Sequence, residues 1–197
     1  RPPRSTLFPY TTLFRSSAIA STLATFPMTL VMELMYRKLP PAQRHALPPR
    51  KLTMAIARRA RLQQRLPDEK SRVRATLAAH FAYGALTGAL YPLAWRQASP
   101  RLLHGSLYGL AIWALSYLGW IPALGLLPPA TRQQRGRRRL MLLAHVVWGA
   151  ATAMTAARLS RAGRVRSEAR GNAPLRLNAF AERAGAVHSA GRRRNLP

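Results

Sequence analysis

Three ionisable side chains lie inside long apolar stretches of this sequence. Glu33 follows the run TFPMTLVM, while His80 and His145 each begin the pattern His, two residues, Tyr or Trp, then Gly-Ala. An ionisable group inside a membrane span usually faces the bundle interior and marks an ion or proton pathway. Because histidine titrates near physiological pH, Glu33 with His80 and His145 would form an intramembrane cluster able to relay protons or hold a cation.

The same three residues also have a purely structural interpretation. Glu33 stands four residues before Arg37, the spacing of a helical ion pair, and each histidine can bond a backbone carbonyl. The chain has no Cys, which removes thiolate catalysis and Cys-ligated metals. Since no nucleophile and base pair, phosphate-binding loop, zinc signature or carboxylate pair is present either, we expect a protein that is not an enzyme and needs no cofactor or metal.

Four apolar segments must position these side chains. A bilayer core takes about 20 apolar residues in a helix, and a buried helix of a soluble bundle would show a polar stripe, whereas these segments are apolar or small all round. The sequence therefore predicts an all-α, integral membrane four-helix bundle within residues 17–159. The predicted spans are residues 17–36, 73–95, 102–127 and 140–159.

Charge lies between and after these segments. The net charge of +27 comes from 32 Lys and Arg against five acids, and the bias towards Arg is typical of a GC-rich bacterial genome. The first and third connectors carry eleven and five basic residues, and the second carries two. Basic connectors stay in the cytoplasm, so we predict a multi-pass protein of the bacterial inner membrane with both termini outside.

Two passages of the chain resemble each other. RVRATLAAHFAYGALTGA, from Arg72, aligns without gaps with RRRLMLLAHVVWGAATAM, from Arg137, and the preceding segments end in LPPAQR and LPPATR. Each unit would be a helical hairpin, and two parallel copies would share a pseudo-twofold axis along the membrane normal. Chance similarity between Ala- and Gly-rich helices is the alternative.

Small residues spaced four apart are candidates for helix packing. Such pairs let two backbones approach closely in lipid, where no hydrophobic force drives helices together. Their recurrence at equivalent repeat positions favours contact between the second and fourth spans, and a homo-oligomer is compatible with so small a bundle. The pairs are Gly84 with Gly88, Gly105 with Gly109, and Gly149 with Ala153.

The remaining segments are polar. Residues 51–66 of the first connector are basic and partly amphipathic, so they form either a helix lying on anionic inner-leaflet lipid or a simple cytosolic helix. The Arg-rich tail, residues 160–197, lacks apolar residues for a core, and we expect disorder. It has no interleaved aromatic residues or known module, so nucleic acid is not an expected partner.

We expect the first sixteen residues to have a different origin from the rest of the chain. Reverse translation of RPPRSTLFPYTTLFRS with ordinary codons gives a DNA sequence that looks identical to a common short-read sequencing adaptor. We therefore expect residues 1–16 to be an artefact, with native sequence from about Ser17 and the true start missing.

From Ala18 to about Arg158, the motifs TFPMTLVMELMYRKLPP, AHFAYGALTGALY, LPPATR and AHVVWG resemble those of small bacterial inner-membrane proteins with a YagU-like domain of unknown function. The resemblance implies an integral inner-membrane protein with no established catalysis and no cofactor. The role that we expect is structural or stress-related. A small oligomeric transporter or channel-like protein, using the Glu and His cluster, is the alternative.

Overall fold

The computed structural model describes residues 8–94 and 101–192, and this part of the chain is helical, with no strand. It divides into two units, residues 1–157 and residues 158–197. The helices are α1 Phe8–Arg37, α2 Pro48–Arg59, α3 Glu69–Ala89, α4 Tyr91–Ala94, α5 Arg101–Ala114, α6 Ile121–Ala123 and α7 Arg135–Arg192. Short 3-10 turns lie at Pro41–Gln43, Gln63–Arg65 and Ala130–Arg132, and a π-helical segment lies at Leu115–Trp120.

Within the described residues, two stretches of helix are long and apolar enough to cross a bilayer, Leu13–Arg37 in α1 and Arg135–Gly163 in α7. They contain the first and fourth predicted spans. A buried core helix or an N-terminal signal sequence meets the same criteria of length and composition, so these two stretches alone indicate a membrane only weakly. Most of the second predicted span lies in α3 and α4, and its last residue, Trp95, lies outside the described residues, as does most of the second connector.

The third predicted span is interrupted by a π-helical segment whose cause is Pro122. Proline has no N–H, and its ring crowds the carbonyl four residues earlier, that of Leu118. The helix widens here and so relieves this conflict. The widening is seen in the Ile121 N–H, which bonds to the Ser116 carbonyl five residues back. Ser116 and Tyr117 lie in the widened segment, and both are buried.

Two of the helices are terminated by a residue with a left-handed backbone conformation. Gly125 has φ 61°, and the Leu126 N–H bonds to the Ile121 carbonyl at 3.1 Å, which closes α6 with a Schellman-type turn. Arg61 takes φ 55° after α2, with the Leu62 N–H on the Ala57 carbonyl at 2.8 Å. The predicted helix over 51–66 therefore stops at Arg59, because the chain turns at Arg61.

The small-residue pairs pack within each hairpin. A Cβ on Gly84 would lie 2.6 Å from Thr25 Oγ1, and a Cβ on Gly88 would overlap Ser21, so α3 lies closely against α1. The predicted partnership of these glycines with the fourth span gives way to contact with the first, although a Gly84 Cβ would also lie 3.6 Å from Trp148 Nε1.

The second hairpin repeats the arrangement. A Cβ on Gly105 would overlap the Gly149 carbonyl and lie 2.7 Å from the Ala153 Cβ, and a Cβ on Gly109 would overlap the His145 carbonyl. Close approach of α5 to α7 therefore requires glycine at positions 105, 109 and 149.

Burial in α1 places small and polar side chains inside and large apolar ones outside. Ser21 and Thr25 are 0% and 1% exposed, and Ala20 and Ala24 are also buried. Large apolar residues on the other faces are exposed, with Leu23 49% exposed. Others in this group are Ile19, Phe26, Leu30 and Leu34 on α1, Leu77 and Leu86 on α3, and Leu103 and Leu107 on α5.

The second unit contains the Arg-rich tail. Disorder is predicted for residues 160–197, whereas the helix α7 continues to Arg192, and residues 193–197 lie outside the described part. Ala and Arg, the commonest residues of this segment, have high intrinsic helix propensity. A segment without a core can therefore still take a helical backbone.

Candidate functional site

A cavity of about 310 Å³ lies between the helices of the first unit. Exposed residues in its lining, among them Ile56 and Leu86, show that it opens at the surface. The other lining residues are mainly apolar and aromatic, the usual composition of a small-molecule site. The polar side chains among them are His80, His145, Tyr83, Ser116, Tyr117, Trp120, Trp148, Thr25, Thr53 and Thr87.

His145 is a fixed part of this lining. It is buried in α7, and its Nδ1 lies 2.8 Å from the Met141 carbonyl oxygen. Since a carbonyl only accepts, Nδ1 carries the hydrogen, and in a neutral imidazole the other nitrogen, Nε2, is then an acceptor. The ring of Tyr117 lies edge-on to the imidazole with centroids 6.0 Å apart, so the orientation of His145 is held from two sides.

His80 lines the same cavity from α3. Its Nε2 atom is buried and has no hydrogen-bond partner among the described residues. A buried polar atom without a partner costs free energy that a bound polar group would recover. The structure therefore brings two of the three predicted cluster residues to one cavity, and the unpartnered nitrogen belongs to His80.

Glu33 does not join them. Its carboxylate accepts a hydrogen bond from Arg37 Nε at 2.9 Å, its side chain is half exposed, and it is not among the residues that line the cavity. The ion-pair alternative from the sequence thus describes Glu33 in this structure. The predicted three-residue cluster is reduced to the two histidines.

Hydroxyl groups join α3 to α5 and to the π-helical segment that follows it. Ser116 Oγ donates to the Ile112 carbonyl at 2.6 Å, so the hydrogen of the 2.7 Å contact between Tyr83 Oη and Ser116 Oγ comes from Tyr83. Tyr108 Oη donates to the Thr87 carbonyl at 2.5 Å. These bonds satisfy polar groups that would otherwise be buried without partners.

On the side of the two basic connectors, Arg137 clamps the first connector to α7. Its side chain is only 4% exposed, and it donates at 2.9 Å to each of three carbonyl oxygens, those of Gln43, His45 and Ala46. No carboxylate takes part in this contact. Its repeat equivalent Arg72 is exposed and also donates to carbonyl oxygens, at the end of the first connector.

Beside this clamp lies a second cavity of about 250 Å³, the basic cavity. Partial burial and the positive charges of Arg137 and Lys51 lower the pKa of His45, in keeping with a cationic environment. The lining residues are His45, Pro48, Lys51, Leu127, Pro128, Arg132, Gln133, Gln134 and Arg137.

Two acidic residues stabilise the start of α3. The Arg50 guanidinium donates two hydrogen bonds to the Glu69 carboxylate, one of them at 2.6 Å, and this pairing lowers the pKa of Glu69. Asp68 caps α3 by accepting from the Ser71 N–H at 3.3 Å. Hydrogen bonding from Ser71 likewise lowers the pKa of Asp68.

Sequence reasoning missed the Arg137 clamp and the basic cavity. Arg137 was visible as a repeat position, but its burial depends on the loop 43–46, which is distant in sequence and lacks any periodic pattern. The π-helical segment had a readable signal, namely a proline inside an apolar helix.

Within the described residues no group of three His, Asp or Glu lies close enough to hold a metal ion. Comparison of the chain with family models, curated proteins and solved structures found no match.

Proposed function

We propose that this chain is a multi-pass integral protein of a bacterial inner membrane, without catalytic machinery, that has a structural or stress-related role in the bilayer. Its first and third connectors face the cytoplasm, and its surroundings are the lipid bilayer, including anionic lipid of the inner leaflet. This agrees with the resemblance to small YagU-like inner-membrane proteins.

The observation that carries this proposal is the reversed burial on α1. Ser21 and Thr25 are enclosed, whereas Leu23 and Leu30 are 49% and 59% exposed. In water such a surface would be a large apolar patch of the kind that soluble monomers rarely carry. In a bilayer this surface contacts lipid chains and does not have to be buried by protein, and the small residues on the enclosed face of α1 permit close helix packing.

The equivalence of the two hairpins supports the proposed parallel repeat. Gly84 of α3 and Gly149 of α7 occupy matching positions in the aligned passages, and each meets the first helix of its own hairpin. Both LPPAxR passages also form a 3-10 turn with the same hydrogen bond, the Arg44 N–H on the Pro41 carbonyl and the Arg132 N–H on the Pro129 carbonyl. A duplicated hairpin accounts for both similarities.

Topology mapping tests the membrane proposal directly. Because the chain contains no Cys, single cysteines can be labelled without background in intact spheroplasts and in broken cells. Arg61→Cys in the first connector should react with an impermeant maleimide after lysis alone, and Ser99→Cys in the second should react in both. Labelling of both positions in intact spheroplasts, or recovery of the chain from the supernatant without detergent, would refute it.

A second candidate function, proton or ion handling, is favoured by the two histidines that line one cavity, one of them with an unpartnered Nε2. Liposomes that enclose a pH-sensitive dye would reveal proton flux through the reconstituted protein. His80→Ala should abolish that flux with unchanged unfolding temperature, and Glu33→Gln should leave it intact because Glu33 lies outside the cavity lining. Absence of flux through the wild-type protein, or full flux through His80→Ala, would rule out this second function and leave the structural role as the supported one.

A further inference from the structure

We infer that the basic cavity binds a phosphate-type oxyanion, carried by the headgroup of an anionic phospholipid or present as free phosphate. The inference goes beyond the proposed membrane role. It concerns a site on the connectors and can be tested whether or not the chain spans a bilayer.

The first argument is that the cations of the basic cavity lack acidic partners. Residues 1–157 contain three acids, Glu33, Asp68 and Glu69. Glu33 pairs with Arg37, Glu69 pairs with Arg50, and Asp68 caps α3. No carboxylate lines the basic cavity, so its positive charge has no counter-ion in the described first unit.

The second argument is geometric. The Arg137 guanidinium is buried and held by three carbonyl oxygens, which use three of the five N–H donors that a guanidinium carries. Such a fixed planar fork suits a tetrahedral oxyanion. Lys51 and Arg132 are exposed residues of the same lining, so their flexible side chains can close on a ligand.

Other lining residues supply hydrogen-bond donors and a helix dipole that favour an anion. The side-chain amides of Gln133 and Gln134 can each donate hydrogen bonds. Pro48 and Lys51 belong to the first turn of α2, where the helix dipole favours an anion.

The position of the basic cavity along the proposed membrane span makes a lipid headgroup one of the two candidate sources of the phosphate. Leu127 lines the basic cavity and is the last residue of the third predicted span. In the proposed topology the cavity therefore lies where the apolar segment gives way to the cytoplasmic connector, at the level of lipid phosphates. Free phosphate reaches the same residues from the aqueous side, through exposed Lys51 and Arg132.

Calorimetric titration of the full chain in dodecyl maltoside separates the two sources. The probes are inorganic phosphate, with sodium chloride of equal ionic strength as its blank, and dioctanoyl phosphatidylglycerol, with dioctanoyl phosphatidylcholine as its blank. We expect saturable binding of an anionic probe above its blank. Tighter binding of phosphatidylglycerol identifies the headgroup as ligand, and equal or tighter binding of inorganic phosphate identifies the free oxyanion.

Variants localise the binding. Lys51→Ala and Arg132→Ala should each weaken it about tenfold, the usual loss for a charged hydrogen bond. Both residues are exposed, so their replacement should not unfold the chain, which thermal unfolding would verify. The matched control Arg135→Ala removes an exposed arginine of α7 that does not line the cavity and should change the Kd by less than about twofold.

Two outcomes would overturn the inference. One is the absence of saturable binding of both anionic probes by a folded wild-type chain. The other is an equal loss in Lys51→Ala, Arg132→Ala and Arg135→Ala, which would show that binding follows diffuse net charge rather than this cavity.

Discussion

Gly109 of α5 lies directly against the backbone carbonyl of His145 in α7, and the Gly149 Cα lies 3.2 Å from the place that a Gly109 Cβ would occupy. The same peptide region positions the imidazole that lines the larger cavity. Helix contact and site geometry are therefore set at one point, where glycine is required by space rather than by an unusual backbone angle.

Gly109→Ala should destabilise the protein by at least about 2 kcal/mol, because the added methyl group overlaps backbone atoms that cannot rotate away. The measurement is the free energy of unfolding in mixed micelles, followed by circular dichroism. Gly163→Ala is the matched control, since a Cβ there has no atom within 4 Å. Equal effects of the two substitutions would contradict the close packing of α5 and α7.

Arg137→Met should lower the free energy of unfolding by about 3 kcal/mol, since it leaves the three carbonyl oxygens of residues 43, 45 and 46 without their charged donor. The control Arg139→Met removes an exposed arginine two residues along the same helix and should stay within about 0.5 kcal/mol of wild type. If the two variants unfold alike, Arg137 does not clamp the first connector.

These two contacts show where sequence reasoning succeeds and where it stops. The glycine pairs were recognisable because small residues four apart mark helix packing, and the all-helical class followed from four long apolar segments. Their partner helices were not readable, because the same spacing suits contact with α1, α5 or α7. The Arg137 clamp depends on tertiary placement of an irregular loop, about which periodicity carries no information.

Sequence reasoning also identified only part of the candidate site correctly. His80 and His145 were identified because ionisable residues inside apolar segments are rare, and they do line one cavity. Glu33 carried the same signal, but it lies one turn from Arg37, and the local ion pair prevails over a buried position. A local partner four residues away is cheaper to reach than a distant cluster that would require the burial of a charge.

The stability of the α2–α3 junction should fall at acid pH. Hydrogen bonds to their carboxylates lower the pKa of Glu69 and Asp68 in the folded chain. The stabilisation is therefore complete above their ordinary values of 4.5 and 3.8 and is lost as the pH falls through the lower folded values. Thermal unfolding between about pH 6 and pH 3 measures the loss.

A mutant cycle assigns that acid dependence. Glu69→Gln and Arg50→Gln should each weaken it, and the double variant should add nothing further because both changes break one contact. Asp68 remains intact in all three and supplies the residual dependence. Additive effects would show that Arg50 and Glu69 act independently.

Leu23→Arg distinguishes a lipid-facing from a water-facing surface on α1. Leu23 is 49% exposed near the middle of the stretch Leu13–Arg37. In a bilayer the substitution costs about 2.5–3.5 kcal/mol of insertion free energy, so the fraction of chain recovered in alkali-washed membranes should fall. Leu62→Arg, at a residue 42% exposed in the first connector, should leave recovery unchanged, because that side chain faces water in either environment. A soluble bundle would tolerate both substitutions equally, since an exposed arginine on a helix in water costs little, so identical recovery of the two variants would contradict the transmembrane assignment of α1.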